Sequence, residues 1–408
     1  MRAECTNGST QVTLRQQRYL FDREVFNREE LKELWQIPVC LKESGATNKK
    51  TNCRLLTEKE ARFNLPLCGS WTLSNAGAEG FYHSGYEAAN VRSIAGDVEK
   101  KLTPAERIML LGDVWASVRV GKTPVTDYLA LAEGLENETS RPVLSELLSQ
   151  IEYIEHYLTS DNDQPQYSRW VRRLLAPSIR RLLFESKPGE SEEDRQLRAR
   201  VLQVAGGTGR DPEVLAWARK WTDRALASDG PLDNTIADTA FSLAARDGDS
   251  TLYDRMIEKQ KHVKTPEDFY VYLDALNSFR DPKLIERNLN RVLSPEVRSQ
   301  DAVGVISDLM DLPPGGALAW NFMKSHWDEI SKISGGFASA GLVDATSTFC
   351  SDEQEEQVRE FFATHKVPSA ERGIQQSLER IHNCADLKSQ QGPHLAQWLS
   401  DHEVRVGQ

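Results

Sequence analysis

From about Asn90 to the C-terminus, apolar residues recur at three- and four-residue spacing, and nothing strand-like interrupts them. A helix turns once every 3.6 residues, so this spacing gathers the apolar side chains on one face and commits most of the chain to packed amphipathic helices. The helix starts are marked too. Thr103, Pro104 and Glu106 read as an N-cap, a proline at the first helical position and an acid in the first turn, ahead of the face Ile108, Leu111, Val114, Trp115 and Val118. Thr123-Pro124 predicts another start, and Asp-Pro at 211 and 281 predicts two more. "GRDPEVLAWARKWTDRALA" and the stretch from "GDSTLYDRMIEKQ" to "IERNLNRVLS" read as helix, short turn, helix. Such pairs cannot bury a face alone, whereas stacked they form an α-solenoid of the HEAT or armadillo sort.

The first ninety residues keep a different period. "TQVTLRQQRYLF" alternates, with Val12 and Leu14 on one side and Thr13 and Arg15 on the other. "LWQIPVCLKES", "CRLLTEKEARFNL" and "CGSWTLSNAGAEGFYHSGY" continue as short strands between turn residues. One face buried and one wet is the pattern of an antiparallel sandwich. The expected fold is therefore mainly α: a small β-sandwich over residues 1–90 and a large helical domain over 91–408. Trp71, Leu73, Phe81, Tyr82 and Tyr86 are expected in the sandwich core, with Gly77 and Gly80 in a turn.

The chemistry is notable for what it lacks. With 50 basic and 61 acidic residues, the net charge of -11 argues against a nucleic-acid partner. No apolar run approaches the ~18 residues of a membrane span, and the N-terminus has no signal-peptide core. No membrane partner and a cytoplasmic location are the expectation. Six cysteines (5, 40, 53, 68, 350 and 384) form no C-x-x-C pair and have no short spacing to histidine. Cys40, Cys53 and Cys68 share one short region, which leaves room for a disulfide in an oxidising compartment; reduced thiols are the expected state. No phosphate loop, dinucleotide fingerprint or nucleophile elbow occurs. "AGGTGRDP" (205–212) reads as an inter-helix turn, and His402-Glu403 lacks the second histidine of a helical zinc site. Arg169, Arg172, Arg173, Arg180 and Arg181 read as a solvated helix face; lining a concave surface for a carboxylate is the functional alternative.

"WTLSNAGAEGFYHSGYE" (71–87) resembles the W-x-x-x-N-x-x-x-x-G-[FY]-[YF]-x-x-x-Y segment of zinc aminopeptidases of the aminopeptidase N type. "LTPAERIMLLGD" (102–113) is similar to the helix that follows in that family, and "DYLALAEGLENETSRPVLSELLSQI" to the next, with Glu138 at its acidic position. "YVYLDALNSFRDPKLIERNLNRVLSPEVRSQDAVGVI" and "GGALAWNFMKSHWDEI" resemble two stretches of the family's C-terminal helical domain. "TQVTLRQQRYL" and "LWQIPVCL" are similar to its first sandwich strands. The resemblance runs in order from about residue 10 to 400 and is nearest to the branch of puromycin-sensitive and endoplasmic-reticulum aminopeptidases.

The resemblance implies a noncatalytic C-terminal region whose concave wall covers the active site and accommodates the peptide. The H-E-x-x-H and G-x-M-E-N motifs do not occur here. This chain alone is expected to be no enzyme and to carry no cofactor or metal, zinc belonging to a catalytic domain that would lie upstream. Its partners would be that catalytic domain or subunit and the peptide substrate. Lys324 stands where relatives can carry a basic residue facing the cavity, and Tyr153, Arg172 and Arg287 are further candidate peptide contacts. The alternative is a free-standing helical-repeat scaffold that binds a protein or peptide partner.

Overall fold

The computed structural model describes residues 1–28, 33–46, 52–187, 189–228, 230 and 232–406, without the side chains of 334–338 and 403–406. Six short strands, β1 (Arg2–Thr6), β2 (Ser9–Arg15), β3 (Ile37–Glu43), β4 (Asn52–Leu56), β5 (Glu60–Leu65) and β6 (Thr72–Leu73), form two antiparallel three-stranded sheets. Their orders are β1-β2-β5 and β4-β3-β6. The alternation in β2 decides its orientation. Val12, opposite Ala3 and Phe63, faces inward with Leu14, and both meet Val39, Leu41 and Leu56 of the other sheet.

Two features of this region, and the cysteines of the whole chain, depart from expectation. Residues Arg23–Arg28 form a helix, α1, where strands are expected. Asp22 starts it by accepting the Val25 N–H at 2.9 Å, and burial of Phe26 holds it down. Only Thr72–Leu73 of the 69–87 stretch is strand, because Asn75, Gly77 and Ala78 all take positive φ and turn the chain away. The six cysteines are not reduced: Cys5–Cys68, Cys40–Cys53 and Cys350–Cys384 are disulfides. Cys40 and Cys53 are directly opposed across β3 and β4, a juxtaposition set by sheet register rather than by sequence spacing.

The helices are α2 (Ala88–Ala95), α3 (Val98–Lys101), α4 (Pro104–Arg119), α5 (Val125–Glu133), α6 (Arg141–Tyr153), α7 (Gln164–Leu182), α8 (Glu192–Gly207), α9 (Pro212–Ala227) and α10 (Asn234–Arg246). There follow α11 (Ser250–Gln260), α12 (Pro266–Asn277), α13 (Pro282–Val292), α14 (Ala302–Asp311), α15 (Gly315–Ser325), α16 (Trp327–Ala345), α17 (Asp352–Thr364) and α18 (Glu371–Val406). The chain is thus mainly helical with a small antiparallel sheet region at its N-terminus. Thr103 and Glu106 form the full capping box of α4. Asp211 and Asp281 cap α9 and α13, whereas α5 begins one residue later than Thr123-Pro124 suggests, with Pro124 as its N-cap. Of the "AGGTGRDP" stretch, Ala205–Gly207 ends α8 and Pro212 opens α9, and the four residues between them turn the chain, the Gly209 N–H closing on the Val204 carbonyl at 2.9 Å.

The chain divides into two compact units, Met1–Arg181 with Ser389–Gln408, and Leu182–Lys388. The change of period near Asn90 falls inside the first. There Glu106 joins sheet to helix: besides capping α4 it accepts from Lys42 at 2.9 Å and from the Gly77 N–H at 3.1 Å. Burial opposes its charge, but the Lys42 ammonium and these N–H groups hold the carboxyl below its usual range. Asn90 extends the sheet by exchanging both hydrogen bonds with Thr72, each at 2.8 Å. The end of α18 belongs to this unit as well, since Gln391 accepts from the Val125 N–H and donates to the Val118 and Thr123 carbonyls. In the second unit α10 packs on α8, α9 and α12, and α14 on α12, α15 and α16. Its two cores are built around Phe241, Tyr253 and Phe279, and around Trp320, Trp327 and Phe361.

Candidate functional site

Two of the four candidate peptide contacts lie in each unit. Tyr153 ends α6 where the backbone widens into a π-helical turn, Ile154–Leu158. Such turns shift the phase of a helix and occur often at functional positions. The Tyr153 ring lies 5.4 Å from Trp115 and 4.6 Å from Tyr157 of the π turn, with His156 4.2 Å from Tyr157. The result is a half-buried aromatic cluster, and burial pushes the Tyr153 hydroxyl pKa up. Arg172 is half-buried on α7, while Arg169, Arg173, Arg180 and Arg181 are exposed. Arg181 also donates to the Glu138 carbonyl oxygen at 3.4 Å.

In the second unit, Lys324 is half-buried near the end of α15 with its ammonium 5.1 Å from the centre of the Trp320 ring. Arg287, exposed on α13, pairs with Asp254 at 2.6 Å and lies over Tyr253 at 4.7 Å. Both cations rest on aromatic faces, which fixes their position without consuming every donor. A cavity of about 440 Å³ opens nearby in sequence, lined by Gln260, Lys261, Lys264, Phe269, Arg291 and Arg298. Carboxylates answer most of its cations: Arg291 pairs with Glu296, Arg298 with Asp301 and Lys261 with Glu258.

A row of acids escapes sequence reading because its members sit on separate helices. Asp238 on α10, Asp274 on α12 and Asp308 on α14 lie on neighbouring helices. All three remain open to water, yet partial burial raises each carboxyl. Burial, followed by the charges of Asp238, Asp308 and Asp301, pushes Asp274 up to about 6. A folded-state pKa above the unfolded value of about 3.9 means that the native state holds the extra proton between those values. Stability from this group is therefore present below about pH 4 and lost as pH rises through about 6. Asp274→Asn is expected to raise the thermal midpoint at pH 7.5 by about one or two degrees, solvent screening keeping the effect small, and to do so less at pH 4. Melts followed by circular dichroism at both pH values check this, and a gain independent of pH counts against it.

Asp352, Glu355 and His382 bring potential metal donors within 4.8 Å of one another. Glu355 is already shared by Arg359 and His382, and its position in the first turn of α17 suits an anion at the positive end of the helix. His402 pairs with Glu133 at 3.3 Å.

Residues 71–383 match the family described as ERAP1-like C-terminal domain. The chain belongs to that family. Similar curated proteins include Aminopeptidase M1 of Arabidopsis thaliana, 28% identical over 373 residues, a match covering 85% of this chain and 42% of the relative. Aminopeptidase 2 of Candida albicans is 23% identical, with 98% and 43% covered. The mitochondrial Aminopeptidase 2 of Saccharomyces cerevisiae is 24% identical, with 92% and 39% covered. The chain thus spans less than half the length of these relatives.

Proposed function

We propose that this chain is the noncatalytic C-terminal portion of a zinc aminopeptidase. In this reading its two sheets act as a β-sandwich, and its helices as a concave α-solenoid wall that covers the active site and accommodates the body of the peptide. The observation that carries it is the family match over residues 71–383 together with relatives matched over less than half their length. Lys324 and Arg287 are assigned to the peptide's acidic side chains or terminal carboxylate, and Tyr153 and Arg172 to its backbone and side chains. Zinc belongs to the catalytic portion. Three disulfides persist best in an oxidising compartment, and that setting is proposed in place of the cytoplasm.

Purified alone, the chain is expected to hold no stoichiometric zinc and to cleave no aminoacyl-amide reporter. Chelator-sensitive cleavage by the chain itself overturns the reading. Combined with its catalytic portion, Lys324→Ala and Arg287→Ala are expected to raise KM for peptides that extend beyond the active site by about 3- to 10-fold. The reporter's kcat should stay unchanged, because a contact with the distal peptide contributes binding rather than chemistry.

A further inference from the structure

We propose that the aromatic face carrying Phe81, Tyr19 and Phe21 is the surface on which the catalytic portion of an aminopeptidase docks, an inference that rests on the proposed function and locates the contact it requires. Contrary to the core position expected from its sequence, Phe81 is 108% exposed. The reason is local. The Asn75 side chain accepts from the Gly80 N–H at 2.7 Å and donates to the Gly80 carbonyl at 2.8 Å, closing a tight loop. A Cβ at Gly80 would collide with the Tyr82 ring and lie 2.9 Å from Asn75 Oδ1, so any larger residue would have to displace the Tyr82 ring and the Asn75 bracket. Beyond this bracket the chain alternates: Ser84 and Tyr86 are buried and Tyr82 half-buried, while Phe81, His83 and Gly85 face water.

Phe81 is therefore an apolar ring held out into solvent by a hydrogen-bonded loop, unlike the scattered exposed leucines of an ordinary surface. On the same side, the His83 ring lies 5.2 Å from Tyr19, and Tyr19 meets Phe21 edge-on at 5.4 Å. Phe21 is half exposed, with the Arg119 guanidinium 4.2 Å from its centre. Among the described residues, seven of the nine large hydrophobics that are exposed precede residue 90; Leu183 and Tyr270 are the other two. The bracket orders the backbone beneath Phe81, and an exposed aromatic ring on such a loop is a usual centre of an interface.

The occupant follows from the relatives. More than half of each lies outside the part this chain matches, so in a protein of that plan the sheet region has a large neighbour to meet. Arg119 and Lys122 lie over Phe21 and Phe26, which suits a partner with an apolar centre and an acidic rim. A second copy of this chain would bring the same two cations to the contact and fits less well.

The test mixes the 408-residue chain with the separately purified H-E-x-x-H-bearing portion of an aminopeptidase from the source organism and measures association by titration calorimetry. Phe81→Ser combined with Phe21→Ser is expected to weaken association at least about tenfold, while Tyr270→Ser in the second unit leaves it within about twofold. Unchanged melting of the variant shows that the fold is intact. Association that ignores the Phe81 and Phe21 changes sinks the docking face and spares the functional reading, whereas no association by the unmodified chain sinks both. Self-association in sedimentation experiments that disappears in the double variant overturns the choice of occupant.

Discussion

Glu138→Ala is expected to destabilise the first unit by about 3–5 kcal/mol, because it strands a largely buried guanidinium. Glu138 is 3% exposed. One of its oxygens accepts from Arg107 at 3.0 Å and from the Thr139 and Ser140 N–H groups at 2.9 and 2.7 Å. The other approaches Arg107 Nε at 2.6 Å, off the donor axis, so that contact is Coulombic rather than a hydrogen bond. Arg107 also donates to the Leu102 carbonyl at 2.6 Å just ahead of α4, so its pairing with Glu138 ties the start of α4 to the loop before α6. Removing the carboxylate leaves Arg107 without its counter-charge and two N–H groups before α6 without their acceptor. Removing both charges is a smaller insult. Arg107→Met with Glu138→Leu replaces the pair by apolar side chains of similar size, and should recover most of the loss. Denaturant melts of the single and double variants decide it: equal destabilisation by Glu138→Ala and the double variant means that the pair carries no coupling.

How far such features are legible in sequence depends on how far apart their parts lie. The capping box at Thr103 and Glu106 was readable because cap and partner are three residues apart, and Asp211 and Asp281 likewise act on the turn they open. The helical period from Asn90 onward is equally local. The helix Arg23–Arg28 was not legible: a single turn and a half around one buried phenylalanine has no period to detect. The direction of Phe81 is set by the bracket between Asn75 and Gly80, and a one-residue change of phase in an extended segment exchanges its inside and outside. Glu138 was visible as an acid at a family position, but its partner on α4 appears only when the helices are packed. The carboxylates at 238, 274 and 308 belong to three helices, so only the stacking of those helices makes them one row. The four candidate peptide contacts are found as side chains on their helices, two in each unit, and nothing local to any of them states what it touches.

Cys350→Ala with Cys384→Ala is expected to cost the second unit about 4 kcal/mol, the entropy that a crosslink spanning 34 residues removes from the unfolded chain. The bridge joins the residue before the N-cap of α17 to the first half of α18. Next to it Phe349 is buried, with its ring 5.6 Å from Trp320, and Trp320 in turn meets Phe361 at 5.4 Å. Ser377 donates to the Val343 carbonyl and Arg380 pairs with Asp344, so α18 is also held to α16 without the crosslink. These contacts should let the cysteine-free variant fold and place its loss mainly in the unfolded state rather than in altered native packing. The expected result is a thermal midpoint lower by about 10 °C for this unit, with the native circular dichroism spectrum unchanged. Excess thiol reductant should lower the midpoint of the unmodified chain and leave that bridge's contribution absent from the variant. Alkylation of the unfolded, unreduced chain followed by mass spectrometry gives the independent check: no labelled cysteine is expected, and six labelled thiols in protein folded under oxidising conditions overturn the disulfide assignment.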